Sequence, residues 1–213
     1  MQTRRQTIEQ IRRLVYGDQP AAEANLTVNL VNLWLNQGIA IAAKQNYFDN
    51  NKMEGISYVN NSFYTKFSDL AVSADEQFLW KVELPQLPIG IGYSEGISKL
   101  QFKDSSSNQI SQTVLLLSQN QTTYALNMTP IPNKLIAYSQ GKYVYIVSTL
   151  LLSEYTANVT MVSGGLSTDL DSTLIVPDDY LPVIVEFMKK QLMFQRTVPQ
   201  NLENDGADFV TTT

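Results

Sequence analysis

Leu174-Ile175-Val176-Pro177-Asp178-Asp179-Tyr180-Leu181 divides the chain into two kinds of pattern. Asp178 offers a side-chain oxygen to the unpaired N–H groups of a new helix, and Asp179 suits the positive end of its dipole. Pro182 falls in the first turn, where its missing N–H has no partner to lose. Beyond it, Leu181, Ile184, Val185, Met188 and Leu192 recur on one helical stripe, and Tyr180, Val183, Phe187 and Phe194 on a second. Two apolar stripes predict a helix that packs on both sides, against its own bundle and against a neighbouring subunit. Lys189, Lys190 and Arg196 suit its C-terminal half, and Pro199 ends it.

Upstream of Gly164-Gly165 and the acidic loop Asp169-Leu170-Asp171, the apolar period is two, and strands are predicted from about Tyr47 to about Val162. The alternation is clearest in Phe78, Trp80, Val82 and Leu84, with Gln77, Lys81 and Glu83 facing water. Leu135-Ile136-Ala137-Tyr138 and Tyr143 to Val147 flank Ser139-Gln140-Gly141-Lys142, which predicts a β-hairpin. Tyr58 to Phe67, Ile97 to Phe102, Ile110 to Leu117 and Asn158 to Val162 are further strand candidates. Ser105 to Thr129 has no charged residue, and reads either as a polar hairpin arm or as a low-complexity surface loop.

At the other end, Thr3-Arg4-Arg5-Gln6 has capping-box spacing, and Ile8, Ile11, Leu14 and Val15 follow on one stripe. Gly17 stops that helix, and Asn25 or Thr27 can cap a second, with Val31, Trp34, Leu35, Ile41 and Ala42 as its buried stripe. Gly38 inside it marks a close helix crossing. The expected fold is therefore α+β. Residues 1–46 and 169–198 form a small helical bundle, 47–168 an inserted antiparallel β domain, and 199–213 a flexible acidic tail.

The 213-residue chain contains no cysteine and no histidine, which removes disulfides, thiol chemistry, the commonest general base and the commonest metal ligand. No cofactor or metal is expected, and an enzyme is disfavoured. Charged residues make up only 16%, against roughly 25% in ordinary soluble proteins. Asn, Gln, Ser and Thr take their place, as suits an assembly subunit. A net charge of -5 argues against a generic nucleic-acid-binding module. No run of 18 apolar residues and no signal-like N-terminus predicts a membrane segment.

Several local patterns carry less than they suggest. Gly90, Gly92 and Gly96 miss the spacing of a phosphate-cradling loop. Asp169 and Asp171 lack the glycine and distal glutamate of a calcium loop. Capping accounts for Asp178-Asp179 without a catalytic couple. The sequons at Asn25, Asn120, Asn127 and Asn158 are chance products of an Asn/Thr-rich chain. Arg4, Arg5, Arg12 and Arg13, less Glu9, leave the first thirteen residues at +3, a solvated helix face or a contact for DNA phosphates or an acidic partner.

The order helix, loop, helix, β-rich insert and proline-introduced helix resembles the adaptor or ring proteins of tailed-phage head-to-tail connectors, particularly those of short-tailed and crAss-like phages. Ile8-Glu9-Gln10-Ile11-Arg12-Arg13-Leu14 and the stretch from Asp171 through Gln195 carry the resemblance, whereas Asn46 to Thr168 contributes only a compatible strand pattern. It implies a virion protein that packs side by side in a twelvefold ring under the portal protein, touching other connector or tail proteins. Genomic DNA would pass through without sequence-specific binding, along a wall whose acidity repels phosphates. Val31, Trp34, Tyr180, Leu181, Ile184, Val185, Phe187, Met188 and Leu192 are then the residues expected to pack bundle and ring. The tail is the expected portal-docking extension, with Asn201, Asp205, Asp208 and the apolar anchor Phe209-Val210. The rival reading is a tail or adhesin module whose β region binds a surface glycan, favoured if Tyr58, Phe63 and Tyr64 cluster in a groove.

Overall fold

Thr3 and Gln6 cap one another as their spacing predicts. The Gln6 N–H donates to Thr3 Oγ1 at 3.2 Å, and the Thr3 N–H donates to Gln6 Oε1 at 3.0 Å. Helix α1, Arg4–Tyr16, follows. These contacts belong to a computed structural model, which describes residues 2–16, 27–91, 96–104, 110–122, 135–148 and 150–197. The predicted stop at Gly17, the loop after it, the Asn25 cap and the whole 199–213 tail lie outside those residues.

Thr27 caps helix α2, Val28–Glu54, accepting from the Leu30 N–H at 3.3 Å. The helix runs beyond Tyr47, where strands were expected to begin, and ends at Gly55, whose N–H donates to Asn51 O. Its inner face continues as Ile39, Ala42, Ala43 and Asn46. A buried asparagine stands where an apolar residue would have signalled another turn. Asn46 is satisfied there: its Oδ1 accepts from the Asn60 N–H at 2.8 Å, and its Nδ2 donates to Tyr180 Oη at 3.2 Å.

The closing segment forms a 3₁₀ turn, Asp178–Tyr180, and then helix α3, Leu181–Thr197. Asp178 makes no side-chain cap. The 3₁₀ turn takes the capping place, its Tyr180 N–H bonded to Pro177 O at 3.0 Å. α3 packs along α2 at Gly38, where a Cβ would lie 3.1 Å from Ile184 Cγ2, so the predicted close crossing is present. α1, α2 and α3 share one apolar cluster with Val59, Phe63, Ile91, Val162 and Leu174.

The strands are β1 (Tyr64–Glu76), β2 (Leu79–Glu83), β3 (Ile97–Asp104), β4 (Ile110–Thr113), β5 (Leu115–Leu116), β6 (Ile136–Gln140), β7 (Tyr143–Val147) and β8 (Tyr155–Val162). They are ordered β4-β3-β8-β1-β2-β7-β6-β5. The two ends of that order are one stretch of chain, interrupted at Val114. Val114 N–H donates to Leu100 O in β3 and Leu115 N–H to Leu135 O beside β6. The sheet thereby closes on itself around a second core that includes Trp80, Val82, Leu84, Leu100, Phe102, Val144, Ile146, Val159 and Met161. β1 turns the opposite corner: it pairs with β8 through Ala71, with a register shift between Phe67 and Leu70, and with β2 from Val72 onward.

The expected β6–β7 hairpin is present, with Gln140 opposite Tyr143. Three expectations change. The β domain is mixed, because β5 pairs with β6 in parallel. Phe78 leaves the alternation: with φ 64 it sits in the β1–β2 turn and is exposed. The described part of the 105–129 segment does not project as a separate hairpin arm. Its β4 pairs with β3 and its β5 with β6, which makes it the stretch that closes the sheet.

Candidate functional site

The residues expected to build bundle and ring sit mainly inside the single chain. Val31, Ile184, Met188 and Leu192 are fully buried, and Trp34 is nearly so. Tyr180, Leu181, Val185 and Phe187 are half-buried against the same cluster. Tyr180 donates to Asp49 Oδ2 at 3.3 Å and packs edge-on to Phe63. The second stripe of α3 therefore mostly serves the chain's own core, while Phe194 at its far end is 68% exposed. Asn201, Asp205, Asp208, Phe209 and Val210 lie outside the described residues.

The face left outward is on α2. Leu33, Ile41 and Phe48 are 51%, 41% and 58% exposed. At intervals of eight and seven residues they fall on one arc, opposite Leu35, Ala42 and Asn46. Lys44 lies among them. The pattern was legible in the sequence, but Ile41 was assigned to the buried stripe; it belongs to this outer one.

The junction between helices and barrel is built on Arg4, Asn32, Asn36 and Gln86. Arg4, expected on a solvated face or against phosphates, is fully buried. Its Nη1 donates to Gly164 O at 3.0 Å, its Nε and Nη2 to Asn32 Oδ1 at 3.3 and 3.1 Å, and its Nη2 also to Asn36 Oδ1. Asn32 in turn donates to Ser167 O at 2.8 Å. From the barrel side, Gln86 Nε2 donates to the Ser163 and Gly165 carbonyls, while its Oε1 accepts from the Ser167 N–H. Burial pushes the Arg4 guanidinium down to about 10, which leaves it charged at neutral pH. The one advance signal was Asn32 and Asn36, spaced i,i+4 beside an otherwise apolar helix face.

Residues 2–5 zip along 170–174. Leu174 N–H donates to Gln2 O, Arg4 N–H to Ser172 O and Arg5 N–H to Leu170 O, and the Arg5 guanidinium grips the Asp171 carboxylate at 2.7 and 3.2 Å. Asp171 is thus engaged by Arg5 in place of the calcium considered above. That hydrogen bond holds the Asp171 carboxyl below its ordinary 3.8. Because the folded value is the lower one, the pair stabilises the fold above pH 3.8 and is lost as pH falls through the folded pKa. An NMR titration of the Asp171 carboxyl is expected to show a midpoint below 3.8; a midpoint at or above it would mean the clamp is open in solution.

A cleft of about 660 Å³ lies between Asn61, Ser62, Tyr64 and the segment Leu174–Asp179. Asp178 and Asp179 stand exposed at its rim. The aromatic groove that would have favoured the adhesin reading is not formed by Tyr58, Phe63 and Tyr64: Phe63 is buried, Tyr64 is half-buried, and Tyr58 is tied to Glu54 by a 2.9 Å hydrogen bond. On the barrel's outer surface, however, Tyr138, Tyr143 and Tyr145 lie together. Among the described residues there is no group of three or more side chains suited to a metal ion, and no helix long and apolar enough to cross a membrane. No protein-family model and no curated protein matches this chain.

Proposed function

We propose that this chain is a non-enzymatic structural subunit of a tailed-phage head-to-tail connector, one copy in a homo-oligomeric ring beneath the portal. The observation that supports assembly is the outer arc of α2. Its other side already fills the subunit core, so folding alone gives no reason to hold Leu33, Ile41 and Phe48 in line on a helix roughly 40 Å long. A neighbouring copy supplies the reason. The surface that meets α2 is a different one, because a ring closes through two unlike complementary faces; the exposed end of α3 and the outer side of α1 at Leu14 are available.

In this reading the tail, through Phe209 and Val210, seats the subunit on the portal, and the barrel forms the platform or collar toward the tail. The net negative charge keeps the channel wall from adhering to DNA as it slides.

Quantitative peptide mass spectrometry of purified virions, with the portal protein as internal standard, tests the reading. The expected ratio is near one-to-one or a small whole multiple. Absence from the virion, or a ratio typical of tail spikes, overturns it. Pairing Ile41→Glu with Phe48→Glu is expected to change the unfolding free energy by no more than about 1 kcal/mol, both sites being exposed. Incorporation into virions should fall about tenfold or more, since two like charges per contact enter an apolar strip. Normal incorporation of the double variant would remove α2 from the interface.

A further inference from the structure

We propose that the outer face of β6, β7 and β2 is a binding site for a neutral glycan, at residues other than those the sequence suggested. Register builds it. Tyr138 lies opposite Tyr145, Tyr145 opposite Lys81, and Lys81 opposite Ser73, so one row crosses four strands. Val144 and Ile146 point inward and are fully buried, which turns Tyr143 and Tyr145 outward. The Tyr138 and Tyr145 rings stack at 5.3 Å and 19°, and Tyr143 tilts against Tyr145 at 6.4 Å and 51°. Tyr143 is the most exposed of the three, at 37%, while Tyr138 and Tyr145 are half-buried beside it.

Charge selects the occupant. Lys81 is bound to Asp75 at 2.6 Å and Lys142 to Glu83 at 2.8 Å, and the Glu76 carboxylate also acts on Tyr138. Both cations are thus paired, and the carboxylates outnumber them. A polyanion such as nucleic acid is repelled by the surplus of carboxylates. A pyranose chain matches what remains: its C–H face lies on an aromatic ring, and its hydroxyls donate to Asp75 or Glu83 and accept from Lys81 or Lys142. The site is on the barrel and does not use the α2 arc, so it stands or falls independently of the ring.

The test is calorimetric titration of the full chain with maltohexaose, cellohexaose, mannohexaose and chitohexaose separately, and with dodecathymidylate and choline for comparison. At least one hexaose is expected to bind. Tyr145→Ala should weaken it about tenfold or more, in keeping with the worth of one stacked ring, whereas Tyr138→Phe, which keeps the stack, should stay within about threefold. Tyr143→Ala, at a 37% exposed side chain, gives the same reading should Tyr145→Ala fail to fold. The proposal is overturned if no hexaose binds, if binding survives the alanine variant, or if dodecathymidylate or choline binds through Tyr145 instead. None of these results bears on the copy number per virion, which tests the ring alone.

Discussion

Arg4→Ala lowers the unfolding free energy by about 3–5 kcal/mol, the scale on which removing one partner of a buried charged network acts. The guanidinium donates to Gly164 O, Asn32 Oδ1 and Asn36 Oδ1, and truncation leaves these acceptors facing a cavity. Among the described residues no carboxylate is paired with the cation. Its burial cost, visible in the fall of its pKa to about 10, is of order 3 kcal/mol and already borne by the native state. Arg4→Met removes that cost and fills most of the volume, while still orphaning the acceptors, and should lose less than half as much. Urea denaturation of both variants measures the difference. A loss below about 1 kcal/mol for Arg4→Ala would mean that the Gly164 loop is held without it.

Gly96→Ala has an effect at least as large, about 4 kcal/mol or failure to fold. A Cβ there would lie 2.0 Å from Ile89 O, at φ +76. The obstacle is backbone, and it is not able to swing aside. Ile89 and Gly96 also hold the end of β8 between them: Ile89 N–H donates to Val162 O at 3.3 Å, and Val162 N–H donates to Gly96 O at 2.8 Å. Moving either strand therefore disturbs Val162, which belongs to the helical core. Gly90→Ala is the control, with open space around its Cβ, and should shift stability by less than about 0.5 kcal/mol. Equal melting of the two variants would refute the steric argument. Crossing chains explain the glycine at position 96, and nothing in the structure explains the one at position 90.

Elements written in apolar periodicity were legible: α1 with its reciprocal cap, the Thr27 cap, the Gly38 crossing, and the inward set Trp80, Val82 and Leu84. What escaped was written in polar residues. The last two turns of α2 were lost because Asn46 and Asn50 continue the inner face in place of aliphatic side chains, and their hydrogen bonds to Asn60 and to Tyr58 O depend on a segment that folds back later. Arg4 was misplaced for the same reason, since its acceptors are 28 to 160 residues away. Sheet closure leaves no local mark, because a strand that changes partners at Val114 reads as one strand. The tyrosine face was visible only as an alternation; which side of it met solvent required the partner strands.

The parallel pairing of β5 with β6 spans two residues, Leu115 and Leu116, and is braced by Leu115 N–H to Leu135 O at 3.0 Å and Leu117 N–H to Ala137 O at 2.8 Å. Among the described residues every other pairing around the barrel is longer. Under tension across its wall, the protein would part here first, like cloth along its shortest row of stitches. A ring of such subunits placed under tension would have a defined mechanical fuse, set by the length of this seam while the helical contacts remained intact.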